Sequence, residues 1–478
     1  MLLATLLLAT VPSLPVIRYR VTCDPSSSAD PKWRVEISVT GLDPKRRDVR
    51  FQLPGWGEWY DLDDYYVREL AGTPPVRHRL DFLERFDVEL PADWDGTLKV
   101  SYAIPIVELG SRANSNHGLL PWRTAGYVHA FSSNTLMRVA AGEALVEAER
   151  TLELVPLPGG SSLTGWSGLA AGPQTVKLAP QADNTVLVLG VPSASQRSDD
   201  AGGLLEAVQF SGLPDCTKLA HDFARRLRVA YAATTGAPAG SAERLVLTAP
   251  GLGGTHVEGA ITLGRPEIVT DVRGRPGFET GTAHFVAHEL FHAWLPGVLK
   301  MGEPGLEWIH EGFTEYLSLW QLVALGDVAP DEFARRMHWY DELARKSAAF
   351  GKVAFASPDV NWREPENETI AYKGGCLLAF HLDALLRDAG EPGLPQLFRD
   401  FMREEGGAVR RAAFAKWLAA QGLDEAWANC CQAPFAPDPR ADLLRAGFRP
   451  VEKPDPNDRH HVATALGGTT EPFFKFGK

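Results

Sequence analysis

Cysteine is scarce in this chain. The 478 residues hold five, Cys23, Cys216, Cys376, Cys430 and Cys431, odd in number and unevenly spaced. That pattern argues against a disulfide framework and against a cysteine zinc site. Adjacent Cys430 and Cys431 fit disulfide geometry poorly. A basic excess is also missing. Lys and Arg number 48 against 60 Asp and Glu, a net charge of −12, so a nucleic-acid partner is not expected. No uninterrupted apolar run reaches about 18 residues, so no membrane span is expected. The short apolar run from Met1 to Thr10 has the length of a signal-peptide core but lacks a positive start. It sets the expectation of a leader over 1–15 and a periplasmic or secreted protein, with a cytoplasmic one as the alternative. The remaining composition, 45% hydrophobic and 23% charged, is ordinary for globular chains, and the length suits several domains.

What is there is one dense stretch, His288-Glu289-Leu290-Phe291-His292. On a helix, positions i and i+4 lie one above the other, so His288 and His292 can aim both imidazoles at one metal ion. Zinc is the usual occupant of such a pair, and Glu289 stands beside it as a base for water. Eighteen residues, 293 to 310, separate His292 from Glu311 within Trp308-Ile309-His310-Glu311-Gly312. Two histidines and a carboxylate form the ligand set of a catalytic zinc, one ion per chain, with a fourth position open. The gap allows a first helix ending at Pro296, a Pro/Gly-rich turn and a second helix from Leu306 to Leu325, stopped by Gly326. Glu315, one turn past Glu311, is placed to support a ligand histidine from behind. His284 precedes His288 by four, but a His284–His288 pair has no Glu directly after its first member. His310 is expected on another helical face.

The HELFHAW and WIHEGFTEY blocks together resemble the gluzincin peptidases, and more narrowly the glycyl aminopeptidase family of zinc metallopeptidases. That family carries a downstream Tyr-x-Lys-Gly and then a helix ending Leu-Asp-x-x-x-Arg. Here Tyr372-Lys373-Gly374-Gly375 leads into Leu382-Asp383-Ala384-Leu385-Leu386-Arg387, with Gly374 where the lysine belongs. The resemblance implies that Tyr372 donates a hydrogen bond to the reaction's developing oxyanion. It also implies a Gly-Gly-x-Glu-His motif on a sheet edge, where an extended peptide pairs and a carboxylate holds its free amino group. Gly253-Gly254-Thr255-His256-Val257-Glu258 departs from that motif. His256 stands at the Glu position, and the nearest carboxylate is Glu258. An even shift on a strand keeps the same face, so Glu258 is a candidate replacement.

Alternating segments such as Trp33-Arg34-Val35-Glu36-Ile37-Ser38-Val39 read as half-buried strands, and helical spacing takes over near Cys216. The expected fold is multidomain α+β: an N-terminal β-sandwich-like domain over 16–205, a thermolysin-like zinc domain over 206–330, a helical domain over 331–450 and a tail over 451–478. Family members often continue into a PDZ domain, which is not expected here. The implied activity is removal of small N-terminal residues such as glycine or alanine from a peptide or protein substrate. A zinc endopeptidase, and a non-catalytic zinc-stabilised peptide-binding protein, are the alternatives.

Overall fold

The computed structural model describes residues 14–24, 31–53, 67–78, 85–108, 121–124, 126–179, 182, 184–200, 203–210, 215–239, 242–248, 255–264, 267–362, 364–405, 407–450 and 464–466. The expected leader, apart from residues 14 and 15, and most of the expected tail lie outside them. The chain forms two compact units. The first takes Met1–Ser195, Ala207–Thr217 and Arg244–Arg265, and the second takes Gln196–Glu206, Lys218–Glu243 and Pro266–Lys478. The chain therefore crosses between units several times near the expected boundary at 205, and the expected boundary at 330 falls inside the second unit.

The first unit is built on strands. One six-stranded sheet contains β1 (Val16–Asp24), β2 (Lys32–Thr40), β3 (Arg68–Thr73), β4 (Leu98–Pro105), β5 (Glu149–Val155) and β6 (Gln174–Leu178), in the order β6-β5-β1-β2-β4-β3. β1 runs antiparallel to β2, with Val16 opposite Thr40, and parallel to β5, with Val16 opposite Glu149. The period-2 pattern sends Trp33, Val35, Ile37 and Val39 of β2 inward. They meet Phe51, Phe86, Val139 and Leu187 from other strands in one core. Each such buried side chain contributes about 1.5–3 kcal/mol. Three further strands are β7 (Glu243–Leu247), β8 (Thr255–Val257) and β9 (Ala260–Leu263). β9 pairs in parallel with β7 and antiparallel with β8, and β8 is the outermost strand of its sheet among the described residues.

The second unit is mostly helical. Its relevant helices are α1 (Thr217–Thr235), α2 (Thr280–Phe291), α3 (Thr314–Leu325), α4 (Pro330–Lys346) and α5 (Gly375–Asp388). Glu279 caps α2 by accepting from the Gly281 and Thr282 amides. Ala283, Val286, Ala287 and Leu290 form its apolar face and are fully or nearly fully buried. Tyr231 of α1 donates to the Ala287 carbonyl at 2.9 Å, fixing α2 against α1. α2 closes at Phe291, earlier than the expected stop at Pro296, and the chain turns there in short hydrogen-bonded loops. α3 ends at Gly326, whose φ of 72° suits glycine. In the downstream block, Asp383 is fully buried and accepts from Tyr316, Arg387 and the Leu394 amide, so it ties α3 to α5.

Of the three π-helical turns among the described residues, two bear on the site, at Trp308–Phe313 before α3 and at Ile370–Gly374 before α5. They pack against each other through glycine. A Cβ on Gly312 would lie 2.4 Å from Gly375 Cα and 2.8 Å from the Ala371 carbonyl oxygen, both backbone atoms. Gly312→Ala is therefore expected to cost about 1–3 kcal/mol, as overpacking does, and to push Glu311 away from Tyr372. Thermal denaturation and zinc content of the purified variant check this; wild-type values for both would contradict it.

Candidate metal centre

α2 and the first π-turn bring three donor atoms together. His288 Nε2 lies 3.1 Å from His292 Nε2 and 3.2 Å from Glu311 Oε2, and His292 Nε2 lies 3.5 Å from Glu311 Oε2. Ligands of a tetrahedral zinc at about 2.0–2.1 Å stand about 3.3 Å from one another. The triangle thus has the edges of three zinc ligands, and two imidazoles with one carboxylate match the metal's nitrogen and oxygen preference. His292 Nδ1 donates to the Leu295 carbonyl at 2.7 Å, which orients the ring with Nε2 toward His288 and Glu311.

The surroundings favour positive charge. Burial works against a charged His288, but the Glu311, Glu315 and Glu289 carboxylates reverse this and raise its pKa to about 10. Burial pushes the Glu311 carboxyl upward, yet His288 and His292 hold it well below its ordinary range. Glu289 follows His288 on α2, with Oε2 3.9 Å from His292 Nε2. Tyr372, in the second π-turn, stacks on His288 with ring centres 6.0 Å apart and planes at 15°. Burial first, then the Glu311 and Glu289 carboxylates, raise the Tyr372 phenol's pKa, so it remains a proton donor at neutral pH.

The chain has the fold of an aminopeptidase N family protein. The solved structure from Idiomarina loihiensis described in those words aligns with a TM-score of 0.69 at 14% identity, over 93% of this chain and 80% of that one. An M1 zinc metallopeptidase from Deinococcus radiodurans is also similar, at 16% identity and TM-score 0.49 over 89% and 94% of the two chains. A mutant of it bound to a Tyr-Ser-Ala substrate aligns at 16% identity and TM-score 0.49, over 89% and 96%. No family model and no curated protein matches the sequence.

Within this aminopeptidase N fold, the carboxylate behind the triangle is Glu315. It is 4% exposed, with Oε2 3.1 Å from His284 Nε2 and 3.8 Å from His288 Nδ1. Burial dominates at His284 and lowers its pKa to about 4, so it is neutral at physiological pH. His284 faces Glu315, and the triangle is formed without it. Tyr340, which the sequence did not single out, and Lys373, to which it gave no role, also gather here. Tyr340 of α4 donates to Glu315 Oε2 at 3.2 Å, and Lys373 forms an ion pair with Glu315 Oε1. His310 corrects an expectation. It does not turn to another face: its ring centre lies 4.8 Å from that of His292, and its Nδ1 lies 3.4 Å from Glu311 Oε1. The α-helical angle assumed for residues 306–325 fails because Trp308–Phe313 is π-helical.

The residues expected to bind substrate belong to the first unit. Gly253 and Gly254 lie outside the described residues. His256 sits on β8, opposite Ile261 of β9. Glu258 is not on the strand. β8 ends at Val257, and Glu258 and Gly259 form the turn to β9, with Gly259 at φ 70°. The even-shift argument therefore does not apply to Glu258. Its carboxylate accepts from the Trp166 indole at 2.9 Å, and its carbonyl accepts from Thr185 Oγ1 at 2.7 Å.

Proposed function

We propose that this protein is a zinc-dependent metallopeptidase, and within that class an aminopeptidase of the glycyl aminopeptidase type that releases small N-terminal residues. The observation that carries the first part is the donor triangle with Glu289 beside it. His288, His292 and Glu311 would hold the ion. A zinc bound there supplies a Lewis acid that polarises a carbonyl and makes water acidic. Glu289 takes the water's proton as the water attacks the scissile carbonyl carbon, then passes it to the leaving amine. The Tyr372 hydroxyl donates a hydrogen bond to the oxygen that becomes negative. Removing one such donor costs about 10²–10³ in rate, so Tyr372→Phe is expected to lower kcat by that factor with KM and zinc content retained. Steady-state kinetics beside metal analysis check this, and an unchanged kcat would remove Tyr372 from the mechanism.

The sequence blocks support the narrower aminopeptidase reading, and Glu258 weakens one part of it. Glu258 stands on the turn after β8 and not on the strand, and its carboxylate already accepts from the Trp166 indole. The endopeptidase reading stays in view for this reason. A panel of glycyl and alanyl peptides with free and acetylated N-termini separates the two. Cleavage of the free peptides alone supports the aminopeptidase, equal cleavage of both supports the endopeptidase, and no cleavage by zinc-loaded protein refutes both.

A further inference from the structure

Lys373 follows Tyr372 in the second π-turn, and its side chain reaches the buried Glu315. Its Nζ pairs with Glu315 Oε1 while standing 4.6 Å over the Tyr340 ring and 5.7 Å from the Tyr372 ring centre. Glu315 is thereby divided. Oε1 belongs to Lys373, and Oε2 is left for Tyr340, His284 and the side of His288 that bears Nδ1. Neighbouring residues of an ordinary helix point about 100° apart. In this π-turn Tyr372 lies on the face of the His288 ring while Lys373 grips the carboxylate behind the same ring.

On the zinc-peptidase reading given above, we propose that Lys373 is a positioning residue for both His288 and Tyr372. It orients the carboxylate that backs the metal-binding imidazole, and through the adjoining peptide it sets where the Tyr372 phenol stands. A lysine that only balanced a buried charge would act on Glu315 alone. This one is bonded in sequence to the second group the reaction uses.

A double-mutant cycle tests this, using Lys373→Met, Glu315→Gln, their combination, and Lys373→Arg. Zinc affinity is read by competition with a chromophoric chelator, and kcat and KM are read on a cleaved peptide. Groups that support a metal ligand typically change affinity or activity by about 10–100-fold. Lys373→Met is expected to lose that factor in zinc affinity and in kcat with KM little changed, and Lys373→Arg to recover part of both. The double variant carries no unpaired lysine–carboxylate charge, and it is expected to match Glu315→Gln in zinc affinity and to fall below it in kcat, because Tyr372 is shifted as well. A kcat equal to that of Glu315→Gln alone would mean that Lys373 only balances the charge of Glu315, and would overturn the proposal. Wild-type behaviour of Lys373→Met would overturn it too. If wild type cuts no peptide, the functional reading fails by itself, and the zinc competition still decides the role of Lys373.

Discussion

Glu289→Gln is expected to bind zinc as wild type does and to lose about 10²–10⁴ of kcat, the usual contribution of a positioned general base. That factor corresponds to about 3–5 kcal/mol of barrier. Glutamine keeps the size and hydrogen-bonding ends of the side chain but accepts no proton. Glu289 lies beside the donor triangle, and all three triangle edges are formed by other residues. The change therefore removes proton transfer and spares the ligands. Parallel measurement of kcat and metal content checks it. Full activity, or loss of metal in step with activity, would show that Glu289 is not the base.

Glu311→Ala is expected to act on the metal instead. It removes one of three donors and leaves two imidazole nitrogens 3.1 Å apart with no carboxylate between them. Zinc affinity should fall by more than the 10–100-fold typical of changes behind the ligands, and peptidase activity should fall with it. The packing beside it comes from Trp308, Ile309 and Phe313, so the fold should be kept, while loss of the ion pair with His288 should lower the thermal midpoint. A zinc competition assay and a thermal scan separate the two effects. Retained zinc at wild-type affinity would place the metal elsewhere.

The donor residues were legible in the sequence because metal chemistry restricts both type and spacing. Two histidines four apart must share a helical face, and a carboxylate on the next helix completes the set. Strand patterning was legible for a similar reason, as the alternating burial of Trp33 to Val39 in β2 shows. The π-turns were not legible. Their hydrogen-bond shift leaves no mark on residue type, and its only trace is the pair of glycines, Gly312 and Gly375, that lets them touch. His310 was misplaced as a direct result. Lys373 had no assigned role in the sequence, because its partner Glu315 is 58 residues away. Glu258 was assigned to a strand that ends one residue earlier, at Val257. The division of the chain was hidden because β7 and β9 belong with residues far earlier in the sequence, whereas helical periodicity suggested a boundary nearer 205.

Zinc titration of the metal-free protein, followed by peptide hydrolysis at every point, tests the central claim most directly. If His288, His292 and Glu311 form a catalytic metal site, one zinc binds tightly per chain and activity rises in proportion until that equivalent is reached. Tight binding of one zinc with no activity at any point would leave a metal site without catalysis. Activity in the absence of zinc, or equal zinc binding by His292→Ala, would contradict the assignment itself.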